Sequence, residues 1–114
     1  SLACAREVSA VTGACLLVRR DLYEEVGGLD VHFATHYQDV DFCLKIRRKG
    51  LRNLFTPRSV LIHHESASRG AHYDHLDRAL LLDRWADRIA RGDPYYNPWL
   101  SLAGSDYRVR RRAA

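Results

Sequence analysis

An α/β domain, with short strands interleaved with helices, is the fold class this sequence predicts. Three observations carry that expectation. Apolar runs of strand length recur at Ala14–Val18, Leu51–Phe55 and Val60–Ile62. Segments of helical period stand between and after them. Gly27-Gly28, Gly50 and Gly92-Asp93-Pro94 mark the points where one pattern gives way to the other.

Taken in order, Ala14-Cys15-Leu16-Leu17-Val18 reads as a buried strand, because it is continuous and apolar. Asp21 to Val26 reads as a short helix, stopped by two glycines that tolerate a left-handed cap. Leu29 to Tyr37 lacks a period and reads as a loop. From Asp39, Val40, Cys43, Leu44 and Arg47 recur at helical spacing, and Gly50 ends the pattern. Lys45, Arg47, Arg48 and Lys49 fall in its last turns, and Asp39 and Asp41 at its start. Both placements complement the helix dipole. Leu51 to Phe55 is a strand ended by Pro57, and Val60 to Ile62 is a second that delivers His63 and His64. After a polar loop, His75 to Arg91 reads as one helix, with Leu82, Trp85 and Ile89 on its apolar stripe. Residues 95–114 read as irregular, aromatic and then basic, with 103–114 a basic flexible tail.

Composition narrows the class further. The 114 residues are 46% apolar and 28% charged, as in an ordinary globular domain. The net charge of +4 owes much to Arg108, Arg110, Arg111 and Arg112. Such a run is a solvated tail or a contact for anionic lipid, and nucleic acid is not an expected partner. Cys4, Cys15 and Cys43 are odd in number and lack zinc-motif spacing, so no disulfide framework or thiolate metal site is expected. Cys15 and Cys43 read as small core residues, and a reducing cytoplasm suits them. No apolar run reaches the ~20 residues of a membrane span.

Several motifs acquire meaning as an ordered set. Thr12-Gly13-Ala14 leads to Val26-Gly27-Gly28-Leu29-Asp30, then to Gln38-Asp39-Val40-Asp41 and Gly50. Pro57 precedes Val60–His64, Ser68-Arg69-Gly70 follows, and Asp93-Pro94-Tyr95-Tyr96-Asn97-Pro98 comes late. Over residues 7 to 102, this order resembles the C-terminal, acceptor-side half of inverting family 2 glycosyltransferases, rhamnosyltransferase-like members above all. The resemblance implies the second half of a GT-A nucleotide-diphospho-sugar transferase domain, with 1–114 a partial domain and an N-terminal half required. It implies Asp39 as general base, although Gln38 replaces the usual glutamate. It implies Gly13, Ala14, Gln38 and Asp41 at the acceptor site, Arg69 near the donor diphosphate, and His63 as a ligand of Mg²⁺ or Mn²⁺. The implied partners are a nucleotide-sugar donor and a glycan or lipid-linked acceptor, met in the cytoplasm or peripherally at the inner membrane face. An uncovered apolar surface would also favour self-association.

The residue types suit such a reaction. A carboxylate at a helix start is fixed and approachable, as a base for an acceptor hydroxyl must be. Capping alone is the simpler role for Asp39. Tyr95, Tyr96 and Trp99 could stack on a sugar or close the domain against a missing half. His32 with His36, and His72 with His75, have metal-compatible spacing but no flanking ligands. Two other readings stand beside transfer: a non-catalytic glycan-binding module, and a small metal-dependent hydrolase using His63, His64 and Asp39.

Overall fold

The computed structural model describes residues 4–64, 74–104 and 107–110, apart from the Asp74 side chain. Its described elements are β1 (Arg6–Val8), a 3₁₀ turn (Gly13–Cys15), α1 (Arg20–Glu25), α2 (Gln38–Arg48), β2 (Asn53–Phe55), α3 (Asp74–Arg84) and α4 (Ala86–Ala90). Helices and a two-stranded sheet therefore share one fold, in keeping with the α/β expectation. The strands run antiparallel, with Arg6 opposite Phe55 and Val8 opposite Asn53.

Helix α2 is the centre of the structure. Asp41, Phe42, Cys43, Leu44 and Ile46 are all buried. Phe42 packs on Tyr23 of α1 with ring centroids 5.4 Å apart. Gly28 sits so close to Tyr23 that a Cβ there would lie 2.8 Å from the ring, and its φ of +62° also favours glycine. Asn53 ties β1, α2 and β2 together, because its amide donates to the Ser9 and Cys43 carbonyls at 2.9 and 3.0 Å. Leu44, Phe33, Leu81 and Trp85 form the apolar cluster between α2 and α3.

A buried charge lies beside that cluster. Asp41 is 0% exposed. Its Oδ1 accepts from Trp85 Nε1 at 2.8 Å and from Arg84 Nη1 at 3.0 Å. Its Oδ2 faces Lys45 Nζ at 3.4 Å, an ion-pair separation without an aligned hydrogen bond. Lys45 instead donates to the Gly28 carbonyl at 2.8 Å. Arg84 also bonds Asp30 Oδ2 at 2.6 Å. The His32 backbone N–H, then its ring and Arg84, hold the Asp30 carboxyl well below the usual range.

A second carboxylate organises the loop ahead of α2. Asp77, 2% exposed, accepts three successive backbone N–H groups, from Ala34, Thr35 and His36, at 2.8–2.9 Å. Those bonds, led by Thr35, hold its carboxyl below the usual range. The loop then enters α2 through Tyr37, whose φ of 66° is left-handed.

Three expectations need correction. Ala14–Val18 and Val60–Ile62 are not strands: Ala14 and Cys15 belong to the 3₁₀ turn, and neither Leu16–Val18 nor Val60–Ile62 pairs with another strand among the described residues. Leu17 is 97% exposed, and Val60 and Ile62 are each 85% exposed. Apolar composition supplies strand propensity, but only a neighbouring chain makes a strand. Cys15 accordingly is exposed, whereas Cys43 is buried as expected. The long helix breaks at Trp85 (φ −117°, ψ 21°), the residue whose indole reaches Asp41. Its buried stripe is Asp77, Leu81 and Trp85, while Ile89 is exposed. Near the C-terminus, Ser101 N–H donates to the Arg108 carbonyl and Arg110 N–H to the Trp99 carbonyl.

Trp85→Phe should keep the ring packing but remove one donor to a buried carboxylate. A loss of about 1.5–3 kcal/mol in urea unfolding is expected. The depressed Asp77 carboxyl contributes stability above its unfolded value near pH 4, and that contribution fades as pH falls toward its lower folded value. Unfolding followed from pH 6 to pH 2 should therefore show a steep acid decline, and a shallower one in Asp77→Asn.

Candidate functional site

Gly13 and Asp39, two of the residues singled out by the sequence, meet at the N-terminal mouth of α2. Asp39 is the second residue of that helix and is half-buried. Its Oδ2 accepts the Gly13 backbone N–H at 2.7 Å, and its Oδ1 accepts the Val40 N–H at 2.8 Å. The carboxylate is thus oriented from two sides while each oxygen keeps a free lone-pair direction. A turn far away in sequence provides one of these anchors. Thr12 caps the Gly13–Cys15 turn by accepting the Ala14 N–H at 3.3 Å. A Cβ on Gly13 would lie 3.2 Å from Asp39 Cβ, so the absent side chain makes this approach possible. Gly13, Ala14 and Asp39 therefore lie together on an accessible edge.

The remaining expected site residues divide. Gln38 is half-buried and its Nε2 donates to the Phe33 carbonyl at 3.3 Å. A glutamate could not donate there unless protonated, which gives the glutamine a local reason. Asp41 was expected to meet an acceptor, and this is corrected. It is fully buried and accepts from Trp85 Nε1 and Arg84 Nη1. His63 and His64 are exposed on the segment after Ile62. Arg69 and His72 lie outside the described residues. His32 bonds Asp30 and His36 bonds Thr35, each ring nitrogen at 2.7 Å.

A divalent cation was implied, so the donor set can be tested for it. Among the described residues, no three His, Cys, Asp or Glu side chains gather to hold a metal ion. Asp39, His63 and His64 do not form such a set. The described donors do not fit a metal on their own.

Tyr95 ties the C-terminal segment to β1. Its hydroxyl donates to Glu7 Oε2 at 2.8 Å, and the Arg47 guanidinium lies 4.9 Å from its ring centre. The phenol and Arg52 keep the Glu7 carboxyl below its usual range, while Glu7 pushes the phenol up. Tyr96 donates to the Ser101 carbonyl at 2.9 Å.

Sequence reasoning missed the roles of Asp77, Asp30 and Arg84, which bind the loop ahead of α2 and the buried Asp41. Asp77 could have been found, because it stands four residues before Leu81 and eight before Trp85 on one helical face. An acidic residue on an apolar stripe needs a buried partner.

Gly13→Ala should push the Asp39 side chain aside and weaken the Gly13 N–H bond. A stability loss of about 1 kcal/mol is expected, with faster hydrogen exchange of the residue-13 amide as the direct measurement.

No family model matches the chain, and no solved structure matches it. Similar curated proteins do exist. The chain is 41% identical over 107 residues to an uncharacterized protein of Sinorhizobium fredii, covering 87% of this chain and 12% of that one. It is 41% identical over 109 residues to an O-antigen biosynthesis protein of Myxococcus xanthus, covering 90% of this chain and 8% of that one. It is 34% identical over 65 residues to the N-acetylglucosaminyl-diphospho-decaprenol L-rhamnosyltransferase of Mycobacterium tuberculosis, covering 57% of this chain and 21% of that one. The chain thus spans about a tenth to a fifth of the length of the relatives it matches. Its similarity is to segments of proteins named for rhamnosyl transfer and O-antigen biosynthesis.

Proposed function

We propose that this chain is the acceptor-side part of an inverting glycosyltransferase of family 2, with Asp39 as general base. The observation that carries the reading is the Asp39 carboxylate, accessible at the mouth of α2 and anchored by the Gly13 N–H at 2.7 Å. Similarity to a rhamnosyltransferase segment supports it.

In this proposal, an acceptor hydroxyl approaches the edge formed by Gly13, Ala14 and Asp39. Its oxygen attacks the anomeric carbon of a nucleotide-activated sugar. The new C–O bond forms as the bond to the diphosphate breaks, and the hydroxyl proton passes to Asp39. Both Asp39 oxygens are already held by backbone N–H groups, so no reorientation of the base is needed during the step. Gln38 stays aside as a structural donor to Phe33.

The uncovered apolar residues support the further proposal that a donor-binding part packs against this chain. Leu17, Val60, Leu61 and Ile62 are 65–97% exposed. Their segments approach each other at Cys15 and Ser59, whose Sγ and Oγ are 3.9 Å apart. A contiguous apolar surface of that kind is ordinarily covered. The acceptor is then a growing glycan or a lipid-linked sugar, and the donor a nucleotide-linked hexose or deoxyhexose.

Asp39→Asn, made in the full-length protein that carries this segment, should lower transfer by about 10²–10⁴-fold. Donor binding measured by calorimetry should be unchanged. Turnover at the unsubstituted rate would remove Asp39 as base.

A further inference from the structure

The C-terminal hairpin offers a surface of a different kind. Trp99–Ser101 pairs antiparallel with Arg108–Arg110 around a bridge between Leu100 and Val109. In such a pair, side chains alternate between faces, and directly opposed residues share one. Leu100 and Val109 therefore take one face. Trp99, Ser101, Arg108 and Arg110 take the other. Leu100 and Ser101 are half-buried, whereas Trp99, Arg108, Val109 and Arg110 are exposed, so the tryptophan and two arginines stand open on one side of the pair. Trp99 is 63% exposed, and near the hairpin's end Leu102 is 75% and Tyr107 68% exposed.

Two properties coincide on this element. The first is a set of exposed Trp, Tyr and Leu side chains that nothing in the described protein covers. Trp and Tyr rings are favoured at the level of lipid headgroups, where an apolar body and a polar edge are both satisfied. The second is charge. From Asn97 to the C-terminus, Asp106 is the single acidic side chain, against Arg108, Arg110, Arg111 and Arg112. Arginine adjoining aromatic groups is attracted to anionic headgroups while the rings enter the interface. Neither property alone selects an occupant. An apolar patch would suit any protein partner, and a basic run would suit any polyanion. Their juxtaposition on one outward face fits a surface that is apolar beneath and anionic above.

We infer that the Trp99–Arg110 hairpin is a peripheral membrane contact, which inserts Trp99 at the headgroup level of an anionic bilayer while Arg108 and Arg110 engage lipid phosphates. No described helix is long and apolar enough to cross a membrane, so attachment of the described residues is interfacial. The inference is independent of the role assigned to Asp39.

The two tryptophans make the test direct. Trp85 is 5% exposed and already bonded to Asp41, whereas Trp99 is open. Vesicles of phosphatidylcholine with and without 30% phosphatidylglycerol serve as the probe, a composition of about one anionic lipid in three chosen to give a strongly negative surface. The expected result is a blue shift of Trp99 emission with the anionic vesicles alone. Trp99→Phe should abolish the shift. The Arg108→Ser/Arg110→Ser double variant should weaken vesicle cosedimentation by more than tenfold, at about fivefold per arginine. Thermal unfolding of each variant checks that the fold is retained, and a variant that unfolds is replaced by Arg110→Ser alone. Three results would overturn the inference: no shift with either vesicle, equal shifts with both, or binding to single-stranded RNA as tight as to vesicles and indifferent to Trp99. Self-association abolished by Trp99→Ala, without vesicle binding, would assign the hairpin to a second copy and likewise end it.

Discussion

The structure turns on a carboxylate that has no water. Asp41 lies in the first turn of α2 with no exposed surface, and its charge must be met from inside the protein. Trp85 and Arg84 meet it from the junction of α3 and α4, and Lys45 from its own helix. Arg84 and Trp85 stand more than forty positions from Asp41 in sequence, so the two halves of the chain are registered against each other by one side chain. Leu44, Phe33, Leu81 and Trp85 supply apolar contact around it. The apolar contact is tolerant of small shifts, while the hydrogen bonds to Asp41 are not.

The entry to α2 inherits that registration. Asp77 sits on the same face of α3 as Leu81 and Trp85, so docking α3 on α2 brings its carboxylate to the N–H groups of residues 34–36. The loop is fixed, the left-handed turn at Tyr37 follows, and Gln38 and Asp39 begin the helix in a set direction. Gly13 then completes the arrangement from the other side, because only a residue without a Cβ lets the backbone come against Asp39 without displacement. An accessible carboxylate held in this way is what a proton-accepting role in sugar transfer requires, and the proposed function rests on that geometry together with the similar segments in glycan-building proteins.

Away from this centre, the surface is unusual in two places. Leu17 and Val60–Ile62 stand uncovered at one, and the Trp99–Arg110 hairpin at the other. They differ in chemistry. The first is a set of aliphatic side chains with no aromatic residue among them, flanked in sequence by Arg19, Arg20 and Arg58, as suits a protein-covered face. The second couples aromatic groups to arginine, as suits a lipid surface. A domain with both would be held between the rest of its protein and a membrane, which is where a lipid-linked acceptor would be presented.

Much of the fold was legible in the residues themselves. Helices α1 and α2 could be read from local period and from the glycines that end them, because capping and amphipathicity act within one or two turns. The positions of Asp39 at a helix start and of Cys43 in the core were legible for the same reason. The strand-like runs at 14–18 and 60–62 were not, since pairing depends on a partner that local composition does not reveal. Nor was the break at Trp85, or the burial of Asp41, because Asp39 and Asp41 look alike in sequence and differ only in which way the helix turns them. By itself, then, the sequence determined where helices begin and end and which carboxylates crowd the start of α2. Tertiary structure alone decided that one of those carboxylates faces solvent and the other an indole and a guanidinium, because that choice is made by α3 docking from more than forty residues away.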